Sequence, residues 1–257
     1  MRLRIFILLS SPLTVIFWAR CTARPERPAA LIVAVSSSLL GAFEEIGQAF
    51  EVETGLAVEL ASGATGNLAQ QMHNGAPYDV FAAAGEAEIL SLTEEGFLDE
   101  ESRRLFGVGV LLVVWDPEQL ADVRGLQDLA SPAVSRIALA NPAHAPYGKA
   151  AEQALRSSGL WESLQPRLIF AETVRQAYQI VESGNAPLGL VARSTIGEGV
   201  LRTREVDPRL YDPVPHFAAT RIGSPLHADA VQFVEFLLST DAQSILQDFG
   251  MRPPPGS

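Results

Sequence analysis

Short apolar runs alternate with amphipathic stretches along most of the chain, and four of these alternations share one design. Leu31 to Val35 reads as a buried strand, after which Leu39, Phe43, Ile46 and Phe50 recur at helical spacing until Thr54-Gly55. Val58 to Leu60 reads as a second strand, leading through Ser62-Gly63-Ala64-Thr65-Gly66 into a helix that carries Leu68, Gln71 and Met72 and ends near Gly75. Ile137 to Ala140 is followed by the loop Asn141 to Pro146 and a helix from Tyr147-Gly148 to Gly159. Leu168 to Ala171 turns at Glu172-Thr173, a good capping pair, into a helix with the stripe Val174, Ala177, Tyr178 and Val181. Strand–helix alternation of this kind predicts an α/β fold with mostly parallel sheets flanked by helices.

The spacing predicts two lobes. The run GVGVLLVVW, Gly107 to Trp115, is long enough to cross from one lobe to the other, and the proline-punctuated stretch Asp212 to Thr220 offers a return. The terminal segments HADAVQFVEFLLS and DAQSILQDFG read as helices that pack back on the first lobe. The expected division is a first lobe over 24–106, a second over 107–214 and a return to the first over 215–257. The sequence contains no internal repeat, and its low-complexity content is confined to the prolines at 253–255.

The start of the chain follows other rules. A basic MRLR precedes the mostly apolar stretch from Ile5 to Ala19, and Cys21-Thr22-Ala23 offers a small-x-small cleavage pattern. Residues 1–23 therefore read as a secretory signal peptide, the apolar run falling short of the roughly 20 residues that span a bilayer. Cys21, the only cysteine, is an alternative lipid-attachment site, although Trp18-Ala19-Arg20 is a poor match to the small apolar residues such sites require. Loss of Arg2, Arg4 and Arg20 with this segment would move the formal charge from −11 to −14. So acidic a chain lacks the basic footprint that nucleic acid demands. Any anion site must be built locally from oriented dipoles.

The four strand–helix junctions are candidates for such a site. The unpaired N–H groups at a helix start carry roughly half a positive charge and make an anion-binding geometry. At these junctions the sequence places hydroxyls, glycines and prolines: Ser36-Ser37-Ser38, then Gly63 to Gly66, Asn141 to Pro146, and Thr173. The serine triplet is open to three readings: helix cap, ligand site or catalytic nucleophile.

The stretches VSSSLLGAF, NGAPYDVFAAA, LANPAHAPYGKAAEQAL, AETVRQA and NAPLGLVARS, in this order along residues 24–257, resemble the periplasmic molybdate-binding proteins of bacterial ABC transporters. The resemblance implies a type II periplasmic-binding-protein fold, two α/β lobes with the ligand in the cleft between them. It also implies binding of molybdate or tungstate by hydroxyls and backbone amides, with the metal entering only as its oxyanion, no direct protein–metal ligand and no cofactor. Carried over by motif, the ligand residues are Ser37, Ser38 and Thr65, together with Tyr147 and Val174 through their backbone N–H groups. Some members of the family have a tyrosine where this chain has Ala192, so that donor is missing here. The resemblance further implies a monomer that delivers its anion to an inner-membrane ABC permease and performs no covalent chemistry.

Elementary chemistry is consistent with those residues. Molybdate near neutral pH is a dianion whose oxygens only accept hydrogen bonds, so its site should consist of donors. Glu172 is the one carboxylate close to the proposed contacts, and it is expected to point away. Arg175, beside Val174, reads as a solvated helix residue, and Ser36 as the end of the strand. A site for sulfate or phosphate is the nearest alternative. A serine hydrolase using Ser36–Ser38 is the alternative of a different class, but the chain has no G-x-S-x-G elbow, and its histidines, at 73, 144, 216 and 227, are scattered.

Overall fold

A computed structural model of the chain describes residues 30–197 and 199–255. The expected signal segment 1–23 and Cys21 lie outside these residues. The first part of the chain folds as β1 (Leu31–Ser36), α1 (Leu40–Thr54), β2 (Val58–Gly63), α2 (Thr65–His73), β3 (Val80–Ala84), α3 (Ala87–Glu94) and β4 (Arg104–Gly109). It continues through β5 (Leu111–Trp115), β6 (Ile137–Ala140), α4 (Pro146–Ser157), α5 (Trp161–Leu164), β7 (Leu168–Ala171), α6 (Val174–Glu182), β8 (Leu188–Ala192) and β9 (Arg202–Glu205). β10 (Val214–Thr220), α7 (His227–Phe236) and α8 (Thr240–Asp248) close it.

The strands form two five-stranded sheets, ordered β2-β1-β3-β10-β4 and β7-β6-β8-β5-β9. In the first, β1 runs parallel to β2 and β3, while β10 is antiparallel to β3 and β4. In the second, β6 runs parallel to β7 and β8, and β5 is antiparallel to β8 and β9. The two sheets thus share one strand order, a structural repeat that leaves no trace in the sequence.

Both sheets are covered on their faces, so their central strands are continuously apolar and not alternating. Every residue of β3, β5, β6 and β8 is buried. One face of the first sheet packs under α1, α7 and α8 through Phe43, Phe50, Phe106 and Phe233. The Phe50 and Phe233 rings meet edge to face at 5.1 Å, a favourable aromatic geometry. The opposite face packs on Leu68, Met72, Ile89 and Leu92 of α2 and α3. The predicted stripe Leu39, Phe43, Ile46 and Phe50 is wholly inside.

The run expected to form one long strand is divided at Val110, with β4 on one sheet and β5 on the other. Gly109 marks the break. A Cβ there would stand 1.8 Å from the Tyr147 hydroxyl and 2.7 Å from His216 Cε1, so only glycine lets this backbone pass. The chain leaves the first sheet at Gly109 and re-enters it at Val214. The expected borders at 106/107 and 214/215 fall within β4 and β10.

Candidate functional site

The four junctions lie together at the carboxyl ends of the strands of both sheets. Within the first sheet, Ser37 N–H donates to Gly63 O at 2.8 Å and ties the first junction to the second. Within the second, Asn141 N–H donates to Ala171 O at 2.8 Å and ties the third to the fourth. Two further bonds cross between the halves. Gly66 N–H donates to His144 O at 3.1 Å, and Asn67 Nδ2 donates to Glu172 Oε1 at 3.0 Å. Ala64 and Ala84 pack into the same apolar cluster as Ala145 and Tyr147. The halves are in contact around these four helix starts, with the junctions facing one another.

The serine triplet is not a helix cap. Ser36 is the last residue of β1, and Leu39 N–H donates back to Ser36 O at 2.8 Å to close a turn before α1 begins at Leu40. The residue at the cap position is Leu39, and no side chain caps α1. Ser38 is 1% exposed, and its hydroxyl has one protein partner, Ser36 Oγ at 3.1 Å. Its N–H has no acceptor among the described residues. The Ser37 N–H is taken by Gly63, so Ser37 has only its hydroxyl to offer.

Thr65 is the first residue of α2, and β2 extends to Gly63 because its pairing with β1 continues as far as Ser36↔Gly63. The Thr65 side chain is fully buried and its Oγ1 has no hydrogen-bond partner among the described residues. An unpaired buried hydroxyl costs about 1–3 kcal/mol.

Tyr147, the second residue of α4, and Val174, the first of α6, lie in first turns, where backbone N–H groups have no carbonyl within the helix to bond. Pro146 at the start of α4 presets the helical φ without sacrificing an N–H the helix would use. Thr173 and Gln176 form a reciprocal capping box at α6, which occupies Thr173 N–H and Gln176 N–H and leaves that of Val174 unpaired. Arg175 is exposed.

The Tyr147 ring is fully buried against Gly109 and His216, with 6.0 Å between the tyrosine and histidine centroids. Burial raises the phenol pKa well above its usual value, the charge of Tyr211 adding to the rise and the neighbouring Ser194 hydroxyl opposing it. The same burial pushes His216 down to about 4, against a hydrogen bond between its Nδ1 and Val214 O at 3.0 Å. The ring is therefore neutral near pH 7. Ala192 ends β8, fully buried and opposite Leu111. Among the described residues, no hydrogen bond joins a histidine to the serine triplet.

Sequence reading did not anticipate the seat of Tyr147 or the bonds of Gly66 and Asn67 between the halves. A glycine within the apolar run at 107–115 was the available signal for the first. The other bonds depend on tertiary contact and left none.

Alongside the junctions opens a cleft of about 270 Å³ bordered by Gly85, Glu86, Glu88, Pro146, Lys149 and Asp212. Its three carboxylates disfavour an anion. The amide-lined junctions are of the opposite character, with hydroxyls, free N–H groups and four positive helix ends. What this arrangement can do is hold a small anion by donors alone.

Residues 31–252 match the family of bacterial extracellular solute-binding proteins, and the chain belongs to that family. The molybdate-binding protein ModA of Rhodobacter capsulatus is 32% identical over 231 residues, 89% of this chain and 90% of its own. That of Azotobacter vinelandii is 32% identical over 245 residues, 93% of this chain and 96% of its own. The structure of the Azotobacter vinelandii periplasmic molybdate-binding protein superposes with a TM-score of 0.82 at 33% identity, over 87% of this chain and 99% of that one. The fold is the two-sheet fold of these periplasmic binding proteins.

Proposed function

We propose that this protein captures molybdate or tungstate outside the cytoplasm and hands it to an ABC permease in the inner membrane, acting as a monomer without covalent chemistry. Its relatives are binding proteins, and the named ones bind molybdate. The observation that carries the reading is the donor set itself. Among the described residues Ser38 N–H has no acceptor and Thr65 Oγ1 is buried without a partner, and the helix starts at Tyr147 and Val174 complete the set. Ser37 and Ser38 add hydroxyl donors. A fully deprotonated dianion satisfies every one of these groups, and no carboxylate need contact it.

In this reading residues 30–109 with 214–255, and residues 110–213, are two lobes that part and close about Val110 and the start of β10. Anion entry requires the Gly66–His144 and Asn67–Glu172 bonds to open, and closure remakes them over the bound ligand. Within the closed cleft the fixed dipoles are unscreened by water, so a protein of strong negative charge can still hold an anion. Glu172 is exposed and accepts from Asn67 Nδ2, which supports its carboxylate lying off the anion.

Calorimetric titration of anion-free protein with molybdate, tungstate, sulfate and phosphate tests the proposal. Molybdate and tungstate, nearly equal in size and charge, should bind with similar affinity and well ahead of the other two. Tight sulfate or phosphate binding with no molybdate response would refute it.

A further inference from the structure

Ser36 lies outside the donor set, but its side chain makes one contact that bears on it. Its hydroxyl is buried and lies 3.1 Å from Ser38 Oγ. Neither hydroxyl has another hydrogen-bond partner among the described residues. At that separation either oxygen can be the donor, and the ligand chemistry decides between them. On the function proposed above, Ser38 faces an anion whose oxygens only accept, so the Ser38 proton must point to the anion. The bond between the serines must then run from Ser36 Oγ–H to Ser38 Oγ.

We infer that Ser36 is a positioning residue, a donor that turns the Ser38 hydroxyl toward the ligand and makes the site selective for unprotonated oxyanions. A serine hydroxyl has one proton and two acceptor positions. With Ser36 donating to one of these positions, the Ser38 proton is directed away from Ser36. Donation also polarises the Ser38 O–H and strengthens the bond it gives, as in any hydrogen-bonded chain in a low-dielectric site. The one protonated oxygen of hydrogen phosphate, where it is set against Ser38, presents a donor to this donor. The strand–turn geometry holds the pair in place: Ser36 is fixed in β1 by pairing with Gly63, and the Leu39-to-Ser36 backbone bond sets the turn that carries Ser38.

The test is calorimetry at pH 7 with molybdate and inorganic phosphate on the wild type, Ser36→Ala, Ser36→Thr, Ser38→Ala and the Ser36→Ala/Ser38→Ala double variant. Thermal melts of each protein monitor folding. Ser36→Ala should weaken molybdate binding about 3- to 10-fold, the worth of one hydrogen bond, without weakening phosphate binding. Ser36→Thr, which keeps the hydroxyl, should restore molybdate affinity to within about twofold, and Ser36→Ala should add almost nothing once Ser38 is alanine. A merely structural serine would instead weaken both anions equally and add its full effect in the Ser38→Ala background, and that outcome overturns the inference. An unchanged molybdate affinity in Ser36→Ala also overturns it, while leaving the proposed function intact. A wild type that binds no molybdate removes the proposed function and this inference together.

Discussion

Replacing Thr65 with valine separates ligand binding from folding more cleanly than any other change at the site. Valine keeps the shape of threonine and exchanges its hydroxyl for a methyl group; that hydroxyl is fully buried with no partner among the described residues. Two opposite effects follow. In the ligand-free protein, the closed arrangement loses an unsatisfied polar atom whose burial costs about 1–3 kcal/mol, so stability should be unchanged or higher. With the anion bound, the variant lacks a hydrogen bond to a charged acceptor, worth about 1.5–3 kcal/mol. At about 1.4 kcal/mol per tenfold, the molybdate Kd should rise about 10- to 100-fold. Ligand-induced stabilisation provides a second reading. Wild type at a thousand times its Kd gains about 4 kcal/mol, and at the same molybdate concentration the variant should gain about 1.4–3 kcal/mol less. Calorimetry gives the first number and thermal melts with and without molybdate give the second. A variant that melts several degrees lower without ligand and binds molybdate as the wild type does would refute the reasoning, because it would make the hydroxyl structural.

Tyr147→Phe should leave the molybdate Kd within about twofold, since the proposed donor is the backbone N–H and the ring lies against Gly109; a large loss by calorimetry would mean that the hydroxyl itself serves the anion. Gly109→Ala should destabilise the protein by about 1–3 kcal/mol or more in chemical denaturation, because its Cβ would stand 1.8 Å from the Tyr147 hydroxyl, and Tyr147→Phe in that background should recover part of the loss. His216 gives a pH dependence of defined sign. Its folded pKa, about 4, lies below the unfolded value of 6.5, so between these values the unfolded chain binds the extra proton. Its contribution is fully present above pH 6.5 and falls by about 3 kcal/mol as the pH drops to 4. His216→Asn should flatten the stability–pH curve across this window, and an unchanged slope would contradict the burial argument.

Much of the fold is legible in the sequence because burial is. The helical stripe of α1 and the all-apolar runs of β3, β5, β6 and β8 are readable since both faces of each sheet are covered. β9, Arg202–Glu205, is polar and exposed at every position and exists only because it pairs with the edge of β5, so no apolar signal could announce it. The extension of β2 to Gly63 likewise comes from pairing with Ser36. At the site, the strand–helix junctions are legible from hydroxyls, glycines and prolines at strand ends. Which donors remain free is not. That Ser37 N–H is taken by Gly63 while Ser38 N–H has no acceptor among the described residues depends on the register of β1 and β2. The cap reading of the triplet also fails on a tertiary detail, the turn that moves the start of α1 to Leu40.

The most direct measurement is a crystal structure of the protein grown with molybdate, with the metal located by its anomalous scattering. One strong peak is expected, enclosed by Ser38 and Thr65 on one side and the amides of Tyr147 and Val174 on the other, with the anion oxygens at hydrogen-bond distance from those donors. A peak in the neighbouring cleft beside Glu86 and Asp212, or none between the four junctions, would contradict it.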